Sequence, residues 1–146
     1  MDGANKVDGV KRHVLVDFAG LLVAAVLTAA DVQDRAAALR LLGKAKRVAP
    51  TITHVWMDNG YTASTGANAA KAGVHVDVVS GPKPGHGFIV DPRRWVVECT
   101  NGWINHCRRL DRHYQVTLAA HEGSLILSQI ALLLRRLDSS QLFDTL

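Results

Sequence analysis

The chain has little cysteine: Cys99 and Cys107 are the only two among 146 residues. On one helix their eight-residue spacing would hold them ~12 Å apart along the axis, too far for a disulfide. No C-x-x-C pair is present, so a thiolate metal knuckle is excluded and a reducing cytoplasm is the expected compartment. No apolar run approaches the ~20 residues of a membrane span. Met1 to Lys11 is polar and lacks the apolar segment of a signal peptide, so no membrane partner is expected. There is no G-x-S-x-G elbow and no phosphate-binding P-loop, which leaves a small-molecule α/β enzyme without a supporting motif. The seven histidines are scattered, with no pair at ligand spacing on one helix, which argues against a zinc site.

What is present suits one domain spanning residues 1–146. Hydrophobic residues make up 48% and charged residues 21%, enough apolar material to bury a core at this length. The net charge of +4 and a pI near 9.4 are compatible with a polyanionic partner.

The pattern along the chain is α/β. Met1 to Lys11 is rich in Gly, Asp and Lys and reads as loop. Arg12 to Asp17 reads as a strand, Ala19-Gly20 as a turn, and Leu21 to Thr28 as a strand buried on both faces, together an antiparallel hairpin. Asp31 or Asp34 can cap a helix running through Arg47, with Ala38, Leu41, Leu42 and Ala45 on one face and Arg40, Lys44 and Arg47 opposite. Pro50 ends it. His54 to Met57 is a third strand leading to Asp58, and Asn59-Gly60 is a turn pair. Ser64 to Ala72 reads as a small helix and Val74 to Val79 as a strand. Gly81 to Gly87, with two prolines, reads as a mobile loop. Asp91 caps a helix that starts on Pro92 and is expected to reach about Leu110, its core face being Val96, Cys99, Trp103, Cys107 and Leu110. A last helix, Ala119 to Leu137, is apolar on most sides and expected to be buried.

Two carboxylates sit where chemistry could use them. Asp58 ends a strand, where backbone geometry holds a side chain firmly while leaving it open to solvent. It could equally support the Asn-Gly turn. Glu98 lies on the polar side of its helix, with Arg94 one turn earlier and Asn101 and Asn105 on the same stripe. That stripe could be a solvated face with an Arg94–Glu98 ion pair, or a metal ligand beside a phosphate contact. Asp17, Asp31 and Asp34 have simpler readings as turn and cap residues. Basic clusters occur at Lys11-Arg12, Lys44 to Arg47, Arg93-Arg94, Arg108-Arg109 with Arg112, and Arg135-Arg136. Those around the Pro92 helix stand where phosphate contacts near a metal site are needed. Trp56, Trp95 and Trp103 are expected in the core.

Read together, these segments resemble the C-terminal part of bacterial insertion-sequence transposases with a DDE catalytic domain, in the group named after insertion sequence five. The likeness rests on Lys11 to Asp17, Ala29 to Arg35, Trp56-Met57-Asp58-Asn59-Gly60-Tyr61, Gly87 to Val90, and Pro92-Arg93-Arg94-Trp95-Val96-Val97-Glu98, and covers about Lys6 to Leu137. It implies an RNase H-like mixed sheet flanked by helices. It makes Asp58 the second catalytic aspartate, Glu98 the catalytic glutamate and Arg94 the arginine preceding it. It also implies a two-ion Mg²⁺ or Mn²⁺ site held by Asp58 and Glu98, with no small-molecule cofactor. Double-stranded DNA, as transposon ends and target, is the implied partner, contacted by Arg93, Arg94, Arg108, Arg109, Lys11 and Arg12. A homo-oligomer in a bacterial cytoplasm, on the nucleoid, is the implied setting.

Several positions depart from the family pattern. The first aspartate and its strand, central in the sheet, lie upstream of the segment beginning here at Asp2, so the fold is expected to lack that strand and the isolated chain to be inactive. After Glu98 the family carries arginine, threonine and an aromatic residue, where this chain has Cys99, Thr100 and Asn101. The basic character near His106 is weakened. Two other functional readings follow: a non-catalytic DNA-binding fragment that interferes with the complete enzyme, and an inert remnant of an insertion element.

Overall fold

The computed structural model describes residues 9–58, 63–71, 73–79, 92–112 and 114–138. In chain order they form β1 (Val10–Val16), β2 (Leu22–Ala29), α1 (Asp34–Val48), β3 (His54–Asp58), α2 (Ala63–Lys71), β4 (His75–Val79), α3 (Pro92–Asn105), α4 (Arg108–Asp111) and α5 (Leu118–Leu137). The architecture is mixed α/β. The Asn59-Gly60 turn, the Gly81–Gly87 loop and the Asp91 cap fall outside the described residues, as does most of the N-terminal loop.

The hairpin is made by its turn. Asp17 Oδ1 accepts from the backbone N–H groups of Ala19 at 2.9 Å and Leu21 at 2.8 Å. The Asp17 carbonyl accepts from Gly20 N at 3.0 Å, and Gly20 adopts φ +77°, a conformation open to glycine but strained for other residues. β1 and β2 then pair antiparallel from Val10↔Ala29 to Val16↔Leu22. β3 and β4 pair in parallel from His54↔His75 to Asp58↔Val79, joined by the α2 crossover.

These are two separate two-stranded sheets, β1–β2 and β3–β4. They share one layer of helices. Alternation sends Leu15, Ala24 and Val26 of the first sheet, and Val55 and Met57 of the second, towards α1 and α2, where they meet Leu41, Leu42, Ala45 and Ala69. The expected α1 face of Ala38, Leu41, Leu42 and Ala45 is the buried one. On the opposite side Val14, Leu22 and Ala25 pack against Ile104, Leu110 and Leu125 of α3, α4 and α5. Among the described residues, no strand pairs with β1 on the side away from β2, or with β3 on the side away from β4. This is an RNase H-like arrangement without a full sheet.

The outer edge of β2 is closed instead by a side chain. Lys44 Nζ donates to the Ala25 carbonyl at 3.0 Å and pairs with Glu122 of α5. A lysine on a strand edge removes a carbonyl that another strand could use. Lys44 is therefore half-buried and engaged, rather than on the solvated face expected of it.

Five other expectations are corrected. The helix beginning at Pro92 ends at Asn105, and Cys107 takes an extended conformation (φ −77°, ψ 108°) before α4. On an unbroken helix Leu110 would lie ~120° around from Ile104; the break turns it into the same cluster, where it is 2% exposed. The core line of α3 is Thr100 and Ile104, both fully buried, with Val96, Cys99 and Trp103 only half-buried beside it. A polar residue takes the centre because the Thr100 hydroxyl lies 2.8 Å from the Gly20 carbonyl and 3.1 Å from that of Val96. The helix α1 is capped by Gln33, with Asp34 as its first residue held by Lys11 at 3.4 Å. Finally, α5 buries His121, Leu125 and Gln129 only, while Leu127, Leu134 and Leu137 are exposed, as are Trp56 and Trp95. No described helix is long and apolar enough to cross a membrane.

His13 is buried between the hairpin and α1, its Nε2 3.0 Å from Thr28 Oγ1. Desolvation is the main influence on it and pushes its pKa below the usual histidine value, with Asp34 opposing and Lys11 assisting. Between that lowered value and ~6.5 the unfolded chain binds the proton and the folded chain does not, so stability falls as pH falls through this window. Denaturant titrations should show this loss, at most ~1.4 kcal/mol per pH unit from one group, and His13→Gln should reduce the slope. An unchanged slope in the variant would show that His13 is not its source. The edges of β1 and β3 that no described strand covers carry a second expectation: self-association that increases with protein concentration in sedimentation velocity. A monomer at all concentrations with one cooperative, high-temperature transition contradicts it.

Candidate functional site

Asp58 is the last residue of β3 and is exposed. With strand alternation, His54, Trp56 and Asp58 point away from the side on which Val55 and Met57 meet α1 and α2. Asp58 therefore points away from the layer of α1 and α2. Glu98 is on the exposed face of α3, opposite the buried Thr100 and Ile104. Arg94 is half-buried one turn before it. Among the described residues Arg94 and Glu98 form no salt bridge with each other.

The position of α3 is fixed at both ends of the hairpin. At the turn, Thr100 binds the Gly20 carbonyl, and Arg136 of α5 donates to the Ala19 carbonyl at 3.1 Å while lying 4.5 Å over the Trp103 ring. At the other end, Arg12 donates to Asn105 Oδ1 at 3.0 Å and to the Leu110 carbonyl at 3.4 Å. Lys11 is likewise used internally, donating to Asp34 and to the Val32 carbonyl. The two basic residues of β1 thus hold the fold together, while Arg108 and Arg109 at the start of α4 are exposed. The side chain of Arg93 lies outside the described residues.

Two carboxylates offer oxygen donors only, the chemistry that Mg²⁺ and Mn²⁺ take. The donor set fits such an ion but does not complete a site. Among the described residues, neither Asp58 nor Glu98 belongs to a group of three ligating side chains. One such group does exist, and it consists of residues the sequence keeps apart: His54, His75 and Asp77. His54 and His75 begin the two parallel strands and are register partners. Asp77 Oδ2 is 2.9 Å from His54 Nε2, and its Oδ1 is 3.6 Å from His75 Nδ1. The signal available in the sequence was a histidine opening each of two strands; without the pairing, the search for spacing along one helix missed it.

The described elements define the class of mixed α/β domains with an RNase H-like arrangement. Within it, the family model for the transposase DDE domain matches residues 1–134. A Burkholderia cepacia protein assigned as the transposase for insertion sequence element IS402 is 30% identical over 152 residues, covering 94% of this chain and 72% of the relative. No solved structure matches the chain. The chain therefore belongs to the transposase DDE domain family. Its function lies in DNA transposition, DNA is its partner, and dependence on a divalent metal goes with the family.

Gly20 gives a test of how α3 is placed. A Cβ there would lie 2.8 Å from the Trp103 ring and 3.1 Å from Thr100 Oγ1, on a backbone of φ +77°. Gly20→Ala is expected to cost about 1–3 kcal/mol from strain and overpacking, read by urea denaturation. A neutral effect would mean that the turn does not dock on α3 in this way.

Proposed function

We propose that this chain carries two of the acids of a metal-dependent DNA cleavage and strand-transfer site, Asp58 and Glu98. The reading is supported most by the exposed acid that ends β3 and the exposed Glu98 on α3, within a chain of the transposase DDE domain family. Asp58 and Glu98 would hold a Mg²⁺ or Mn²⁺ pair. When bound, such ions activate the attacking water or 3′-hydroxyl and stabilise the leaving oxygen of the phosphodiester.

The chain's own residues supply position and charge. Asp58 is carried on a strand end and Glu98 on a helix tied to the hairpin at Gly20 and Arg12, so neither depends on a loop for its placement. Arg94 meets a phosphate oxygen one helical turn from Glu98. Arg108 and Arg109 neutralise backbone phosphates further along, a sequence-independent contribution that weakens as salt rises. Among the described residues no third acid joins Asp58 and Glu98; an acid on a strand pairing with the unpaired edges of β1 and β3 would complete both the site and the sheet.

The test uses end-labelled element DNA with Mg²⁺ or Mn²⁺, and the chain alone or together with a polypeptide supplying the completing strand. Cleavage is expected only with both. Asp58→Asn and Glu98→Gln should each lower it by at least ~10²-fold while leaving DNA affinity unchanged. Arg108→Ala with Arg109→Ala should weaken binding and flatten its salt dependence. Cleavage that survives Asp58→Asn removes Asp58 from the site. DNA binding without cleavage under every condition favours a non-catalytic, interfering fragment, the reading supported by the absence of a third ligand near these acids among the described residues.

A further inference from the structure

We propose that His54, His75 and Asp77 bind a divalent transition-metal ion of the zinc class, at the opposite end of β3 from Asp58. The three side chains share the sheet face that points away from α1 and α2. His54 pairs in register with His75, and Trp56 with Asp77, so alternation sends His54, His75 and Asp77 to one side. Their ligand atoms all lie within 4.8 Å of one another. A tetrahedral zinc ion with bonds of ~2.0–2.1 Å spaces its ligand atoms ~3.3–3.4 Å apart. The His54 Nε2–Asp77 Oδ2 and His75 Nδ1–Asp77 Oδ1 separations, 2.9 Å and 3.6 Å, lie on either side of that value.

The donor types select the ion. Two imidazoles and one carboxylate, with a fourth position left to solvent, form a set that zinc accepts. Mg²⁺ and Ca²⁺ prefer all-oxygen surroundings and are poorly served by it. The scaffold is ordered: the strands fix the backbone, and the His54 ring stacks on Trp56 at 4.5 Å with 28° between planes. The two imidazoles meet edge to face at 4.9 Å. Both turn towards the same carboxylate, which engages one ring with each oxygen. A single dication held here would bridge the two strands in addition to their own ladder. The four residue steps from His54 to Asp58 span ~13 Å of strand, so the ion would not be shared with the carboxylate pair, and this assignment does not rest on the cleavage proposal.

The experiment is a titration of the chain with Zn²⁺ alone, followed through the imidazole signals in long-range ¹H–¹⁵N NMR. One equivalent should move the His54 and His75 signals together and leave His13, His106 and His121 in place. Mg²⁺ alone should move neither ring. His75→Ala and Asp77→Asn should each lower Zn²⁺ affinity by at least ~10-fold, since loss of even an outer supporting group costs that much at metal sites. His106→Ala and Asp58→Asn should leave affinity unchanged. Movement of other histidines instead of this pair, or undiminished affinity in His75→Ala, would overturn the assignment and leave a hydrogen-bonded surface cluster. Loss of binding in Asp58→Asn would overturn the separation of the two sites. The wild-type NMR titration decides the matter even if a variant fails to fold.

Discussion

The constraint that organises this molecule is the hydrogen-bonding capacity of its strand edges. Every strand carries a row of N–H and C=O groups on each side, and burying them without partners is costly. Among the described residues, two strands per sheet give each strand one partner and one side without a strand. At β2 that side is met by Lys44, which joins α1, the Ala25 carbonyl and Glu122 of α5 in one contact. No comparable device covers the inner edges of β1 and β3 among the described residues. The apolar side chains of the two sheets nevertheless share the layer built by α1 and α2, with Leu15 in contact with the cluster that holds Val55 and Met57. Hydrophobic packing thus joins the two sheets, while among the described residues no backbone pairing does.

This arrangement explains why the residues read as chemical divide into two kinds. Lys11 and Arg12 belong to β1, next to an open edge and under two helical layers, and their donors are used to tie β1 to α1, α3 and α4. Arg108, Arg109 and Glu98 stand on surfaces turned away from the core. A basic pair in the sequence is therefore ambiguous: the same Lys-Arg composition serves as scaffold in one place and as an exposed charge in another, and only burial separates them.

Element order and type were legible because they depend on local signals. The hairpin follows from Asp17 and Gly20, α1 from its alanine and leucine spacing, and the start of α3 from Pro92. Asp58 could be placed at a strand end for the same reason. What was not legible depends on contacts between distant segments. Thr100 lies at the centre of the α3 interface because a carbonyl 80 residues away in sequence, that of Gly20, needs its hydroxyl. The break after Asn105 exists because Leu110 must reach Ile104 and Leu125. The apolar end of α5 carried no sign that it would be left exposed. The pairing of His54 with His75 across a parallel ladder is invisible to any search along a single helix. Family resemblance placed Asp58 and Glu98, which spacing alone left open.

The ties that hold α3 also set an order of assembly. The Asp17 turn closes a loop of only a few residues, and its bonds to Ala19 and Leu21 cost little chain entropy. The contact of Arg12 with Leu110 spans 98 residues, and that of Arg136 with Ala19 spans 117. Contacts of such separation gain nothing until most of the intervening chain has been ordered. The hairpin is therefore a template available early, and the helix bearing Glu98 is locked onto it last. In a growing polypeptide the anchor at Ala19 exists long before Arg136 has been synthesised, so the surface that receives α3 must wait, exposed, for the C-terminal half of the chain.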